Sequence, residues 1–184
     1  MRRTTRRIVG VTTGLMLVAG TTTAAHATAA GKPKPKGKVD DPCTLLDTSK
    51  VAKAFGHPVA DPALDPIFIS CKFAVGDDPT HAPGGTVSVV QLFPHFGQAL
   101  PTATKAFQDQ HAIDVLSNFE LADVEGLGKG AYMNLTNGTL VVLANKKFEL
   151  SVGWQPGSIT TPVAKRDQKK LVQLAKQAVA RAPR

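Results

Sequence analysis

The stretch Tyr132-Met133-Asn134-Leu135-Thr136-Asn137-Gly138-Thr139-Leu140-Val141-Val142-Leu143-Ala144-Asn145-Lys146-Lys147-Phe148-Glu149-Leu150-Ser151-Val152-Gly153-Trp154 decides the fold class. Asn137-Gly138 is a favoured pair for a two-residue type I′ turn, because both residue types tolerate positive φ. It predicts a hairpin between Tyr132–Leu135 and Thr139–Ala144. A second turn is expected at Asn145-Lys146. Beyond it, Phe148, Leu150, Val152 and Trp154 occupy alternate positions, so one face of the last strand is buried under another layer. Asn134-Leu135-Thr136 and Asn137-Gly138-Thr139 match the glycosylation sequon, but at a hairpin turn they read as turn chemistry.

Upstream, Phe119–Val124 reads as a short strand leading into Gly126-Leu127-Gly128. A phosphate-binding glycine loop needs a helix N-terminus behind it, whose N–H groups hold the anion. Here a strand follows, so the glycines supply positive-φ turns and let a ligand approach the backbone closely. Tyr132, Trp154, Gly126 and Gly128 are the candidate ligand-binding residues. Thr86–Phe93 alternates as a strand and Pro94 ends it. Ala99, Leu100, Ala103, Ala106 and Phe107 recur at helical spacing, and Asp109–Asn118 reads as connection. Downstream, Thr161 caps a last helix with Pro162 at its first position. Leu171, Leu174, Ala175, Ala178 and Val179 form its apolar face, which suits docking on a sheet.

The chain has two cysteines, and Cys71 follows Cys43 by 28 residues. In an exported chain the simplest reading is one disulfide. The rivals are two reduced thiols or half a metal site, for which CxxC spacing is missing. Between the cysteines, Asp47 is placed to cap a short helix in which Val51 and Phe55 share a face and Gly56 suits the left-handed end. A strand is expected from Ile67-Phe68-Ile69 through Phe73.

Asp41-Pro42-Cys43-Thr44-Leu45-Leu46, Val51–Gly56, His57-Pro58-Val59 and Cys71-Lys72-Phe73 together resemble the opening of the actinobacterial exported family called domain of unknown function 3558. Val124-Glu125-Gly126-Leu127-Gly128-Lys129-Gly130-Ala131-Tyr132 is similar to that family's second signature. Lys129 stands where the family typically has an acidic residue, and no lipid-acceptor Cys follows the leader. The resemblance implies a small α+β sandwich outside the cytoplasmic membrane, with no established catalytic residues to carry over.

The first 27 residues read as a signal peptide. Arg2, Arg3, Arg6 and Arg7 form a basic start, Ile8–Ala19 a short apolar core, and Ala25-His26-Ala27 a cleavage site. The apolar run is too short and too rich in Thr and Gly to span a bilayer well, so no transmembrane span is expected in the mature chain. Residues 28–41 read as a disordered, Lys/Pro-rich linker, since Lys32, Lys34, Lys36 and Lys38 alternate with Pro and Gly and the run Gly31–Lys38 has no apolar residue to bury. These lysines offer at most a weak charge attraction to anionic wall or lipid. The whole chain carries 22 Lys and Arg against 14 acidic residues, a net charge of +8. Without the leader's four Arg the balance is 18 against 14, and from Pro42 onward it is 14 against 12. The basic character thus belongs to the leader and linker and does not indicate a nucleic-acid binder.

The expected fold is one α+β domain over residues 42–184. It has an antiparallel sheet of about five to six strands, about three flanking helices and one disulfide, by the alternation and helical periods above. No GxSxG, HExxH or paired-His spacing is present, and no cofactor is expected. The leading functional reading is a secreted, non-catalytic module that binds an unknown small ligand or an envelope or extracellular macromolecule. One alternative is a secreted metal-dependent or other hydrolase whose site is assembled only by folding, with Asp77, Asp78, His81 and His95 as candidate metal ligands. Another is a structural protein of the cell envelope.

Overall fold

The structure, a computed structural model, describes residues 41–76, 85–94, 102–156 and 164–184. Its centre is a seven-stranded antiparallel sheet in the order β1-β2-β3-β7-β6-β5-β4. The strands are β1 Ala63–Asp65, β2 Ser70–Val75, β3 Gly85–Phe93, β4 Leu121–Asp123, β5 Gly130–Asn134, β6 Thr139–Asn145 and β7 Phe148–Gln155. Three α-helices accompany them among the described residues: α1 Thr48–Phe55, α2 Ala103–Leu116 and α3 Lys165–Arg181. These elements belong to one compact unit. None of the described helices is long and apolar enough to cross a membrane.

The sheet has two unlike faces. On one, Phe73, Val87, Val152 and Leu150 meet Val51 and Phe55 of α1 and Leu171, Leu174 and Ala178 of α3 in the main core. Burying that apolar area supplies most of the folding drive. Trp154 belongs here, 6 % exposed, with its ring stacked on Phe55 at 4.1 Å between centroids. The other face carries α2, which sits close because Ala103 and Ala106 are its buried contacts.

Cys43 and Cys71 form the disulfide, tying a short 3-10 helix, Pro42–Leu45, to β2. Asp41 caps that 3-10 helix by accepting from the Cys43 N–H at 2.8 Å. Asp47 stands at the N-cap of α1 without a side-chain capping bond. Its carboxylate reaches α3 instead, accepting from Gln177 Nε2 at 2.8 Å and pairing with Arg181. Gly56 ends α1 in the left-handed conformation, at φ 74.

Several expectations are corrected. Ile67-Phe68-Ile69 is a turn, not a strand. Asp65 Oδ1 accepts from the N–H groups of Ile67 and Phe68 at 3.1 and 3.3 Å, closing the β1–β2 connection, and Ile69 has φ 45. The added seventh strand is β1, three residues paired to β2. The Asn137-Gly138 turn is four residues long, since Asn134 pairs with Thr139. Only Gly138 takes a positive φ, 72, while Asn134 Oδ1 accepts from the N–H groups of Thr136 and Asn137. A type I′ turn needs positive φ at both residues. The second turn centres on Lys146-Lys147, because Asn145 still pairs with Phe148. Asp109–Leu116 is helix, the second half of α2, started by Thr102 Oγ1 accepting from the Lys105 N–H at 3.1 Å. α3 starts at Lys165 with Ala164 at its N-cap; the expected cap Thr161 and Pro162 lie outside the described residues.

Candidate functional site

The α2 face of the sheet holds several buried polar side chains, whereas the other face is mainly apolar, with Gln91 buried among its aliphatic residues. Tyr132 on β5 lies opposite Val141, and Val141 opposite Ser151. Asn134, Glu149 and Ser151 are buried on this same side with Tyr132. Asp114, from the underside of α2, is 5 % exposed and holds two of them, Tyr132 and Asn134. Its Oδ2 accepts from the Tyr132 hydroxyl at 3.0 Å and from Asn134 Nδ2 at 3.4 Å. Its Oδ1 accepts from Gln110 Nε2 at 2.9 Å. Three donors offset the desolvation that a lone buried carboxylate would suffer.

The Tyr132 ring is framed edge-on by His111 at 4.8 Å and by Phe107 at 5.5 Å between centroids. Burial pushes its hydroxyl pKa well above the usual phenol range, and the Asp114 carboxylate, its hydrogen bond and Glu149 add to the rise. The hydroxyl therefore remains a proton donor. Glu149 is 1 % exposed, and its Oε1 has no hydrogen-bond partner among the described residues. Desolvation raises its pKa to about 8, so it is largely protonated near neutral pH.

Above Tyr132, between α2 and the β4–β5 connection, lies a groove of about 530 Å³. Phe107, Gln108 and His111 form one wall; Asp123, Glu125 and Lys129 stand along the other. Leu127, 3 % exposed, pins the connection into the main core. Gly126 and Gly128 both hold positive φ, 70 and 63. At Gly128 the backbone also runs against β6, where a Cβ would meet the Leu143 carbonyl oxygen at 2.4 Å. The Phe107 ring lies against β5 at Gly130, where an added Cβ would meet it at 3.4 Å, in ordinary van der Waals contact. A second cavity of about 510 Å³ shares His111 and Asp123 and extends the groove past Phe119 and the end of α2.

The structure thus brings together three of the four ligand-binding candidates, Tyr132, Gly126 and Gly128. Trp154 is corrected: it lies on the opposite face of the sheet, stacked on Phe55, and cannot reach the groove. Asp77, Asp78, His81 and His95 lie outside the described residues, as do Lys32, Lys34, Lys36 and Lys38. Among the described residues no group of three His, Cys, Asp or Glu side chains could hold a metal ion. Sequence reasoning missed Asp114, Phe107 and His111 as parts of the site. Their one signal was spacing, since positions 107, 111 and 114 recur at i, i+4, i+7 on a single helix face. Comparison with protein-family models, curated proteins and solved structures found no match.

Proposed function

We propose that this chain is an extracytoplasmic, non-catalytic binding module that takes a small ligand in the groove between α2 and the β4–β5 connection. The observation that carries the reading is the groove itself, about 530 Å³ over a fixed aromatic and hydrogen-bonded base. That volume falls within the range of small-molecule sites. Asp114 fixes Tyr132, and Phe107 and His111 frame it, so the base is organised before any ligand arrives. Aromatic edges with Gln108, Asp123, Glu125 and Lys129 around them suit a ligand with both apolar and hydrogen-bonding parts.

Binding is favoured over chemistry because the buried phenol is held protonated and already donates to Asp114. A nucleophile would need the opposite, a lowered pKa beside a base. The extracytoplasmic placement rests on the leader-like first 27 residues and on the disulfide, which suits an oxidising compartment. The resemblance to the domain of unknown function 3558 family points the same way.

The test is a thermal-shift screen of the oxidised protein against sugars, amino acids, nucleosides and fatty acids. A ligand of the native state raises the melting temperature with concentration. Gln108→Ala and Glu125→Ala, both at exposed positions lining the groove, should remove that shift while leaving the unliganded melting curve in place. A shift that both variants retain would place binding elsewhere and end this reading.

A further inference from the structure

β4 closes the sheet at one edge, and no strand lies beyond it among the described residues. Successive residues of a strand aim their backbone groups to opposite sides, so alternate residues of β4 face β5 and the others face outward. The bonds to β5 fix which is which. The Glu120 carbonyl accepts from the Leu135 N–H at 2.8 Å, and the Val124 N–H donates to the Ala131 carbonyl at 3.0 Å. Leu121 and Asp123 therefore turn their N–H and C=O groups away from the sheet. Their side chains go to the α2 face, because Leu121 lies opposite Asn134 and Asp123 opposite Tyr132. Beside them runs the cavity of about 510 Å³ between the end of α2 and β4. Its apolar part is Val115, Phe119 and Leu121, with Val115 52 % exposed. Its carboxylates are Glu120 and Asp123, and no Lys or Arg lines it.

We propose that the β4 edge takes an extended peptide as an added strand, antiparallel to β4, with a Lys or Arg side chain opposite Asp123 and an apolar side chain, two residues later, opposite Leu121. Both outward residues can exchange an N–H and a C=O bond with such a strand, which a small molecule without a repeating backbone cannot match. Residues two apart on the peptide share a face, so both side chains enter the cavity beside α2. The apolar one meets Val115, Phe119 and Leu121. Charge selects the basic one, since Glu120 and Asp123 form no ion pair among the described residues. The lysines of the fold stand off from this edge. Asp123 is level with Tyr132 and Val141, so Lys146 and Lys147, beyond Asn145, lie about 13 Å along the sheet and about 10 Å across it. The Lys129 N–H donates to the Leu143 carbonyl at 2.7 Å, on β6, two strands in from the edge. The same carboxylates oppose a second copy of the chain, because pairing β4 with β4 would set Glu120 and Asp123 of one copy beside those of the other. A strand of three residues pairs weakly by itself, so the cavity decides which peptide is held. The edge site stands whether or not a small ligand fills the neighbouring groove over Tyr132.

The probe is a pool of fluorescein-labelled octapeptides with Lys or Arg fixed two residues before Leu, Val or Phe and Ser or Thr elsewhere, titrated by anisotropy into the oxidised protein. Saturable binding is expected, and it should weaken by about tenfold or more for a pool with Asp or Glu in the basic position. Asp123→Lys, at an exposed position, should reverse that preference. N-methylation of the two fixed residues removes the donors that face β4 and should abolish binding, whereas N-methylation of the residue between them should leave it nearly unchanged. This arm needs no protein variant. Hydrogen exchange at the Leu121 and Asp123 amides should slow when peptide is bound. Absence of saturable binding, equal affinity for the acidic pool, or tolerance of N-methylation at the fixed residues would overturn the proposal. So would slow exchange at those two amides in the free protein together with a dimer on size exclusion, which would make the edge a contact between copies.

Discussion

Glu149 is a carboxyl group that the sheet buries without giving both oxygens a partner, and its cost has a definite pH signature. The folded-state pKa is raised by desolvation from 4.5 to about 8. A raised acid pKa means that the folded protein keeps a proton the unfolded chain releases. Stability is therefore fully present below the unfolded value and is lost as pH rises through the folded one. Between the two values the slope is about 1.4 kcal/mol per pH unit. From about pH 5 to about pH 8 the loss attributable to Glu149 comes to about 3 to 4 kcal/mol. Glu149→Gln keeps the shape and removes the titration. Its buried amide brings its own cost, but that cost does not vary with pH, so the difference in slope isolates the carboxyl. The assay is urea denaturation of wild type and variant across this range. The gap between the two stability curves should move in the variant's favour by about 3 to 4 kcal/mol as pH rises. Parallel curves would show that Glu149 is not desolvated in the folded state and would refute the reasoning.

Three other outcomes follow from the packing. Replacing Cys43 and Cys71 by Ala should lower stability by about 3 to 4 kcal/mol by the loop-entropy model, read from the urea midpoint under non-reducing conditions. Gly128→Ala should destabilise far more than Gly126→Ala in thermal melts. Both strain a positive φ, at about 1 to 2 kcal/mol, but only at Gly128 does the new Cβ run into the Leu143 carbonyl. Trp154→Phe should lower the melting temperature and leave ligand binding in the α2 groove unchanged, since Trp154 packs on Phe55 on the far side of the sheet; a calorimetric titration of both proteins with a screening hit checks this.

The positions of most of the strands along the chain and the docking of α3 were legible because alternation and helical spacing are direct consequences of burying one face; the order of the strands in the sheet was not. The face on which Tyr132 lies was not. A regular two-residue turn after β6 pairs Val141 with an even-numbered residue of β7, which puts Tyr132 and Trp154 on one side. The register instead shifts between Leu143 and Asn145, so that Val141 pairs with Ser151. A one-residue shift sends every side chain to the opposite face, and no residue in Ala144-Asn145-Lys146-Lys147 announces the irregularity. The second half of α2 was hidden for a different reason. Ile113, Val115 and Leu116 are exposed while Asp114 is buried, an inversion of the usual amphipathic pattern. That inversion is part of the site, because the buried carboxylate is what holds Tyr132 in place. Ile67 and Phe68 misled as strand residues, and the signal that outweighed them was Asp65-Pro66, a turn pair whose carboxylate holds the next backbone N–H groups.

The measurement that tests the central claim most directly is amide chemical-shift mapping by NMR of the oxidised protein titrated with the best hit of the thermal-shift screen. The account predicts saturable shifts at Phe107, Gln108 and His111 of α2 and at residues 123–132 across the groove, with the α1–α3 face unmoved. Shifts confined to α1, α3 or the β1–β2 tip would contradict it and assign ligand binding to a different surface.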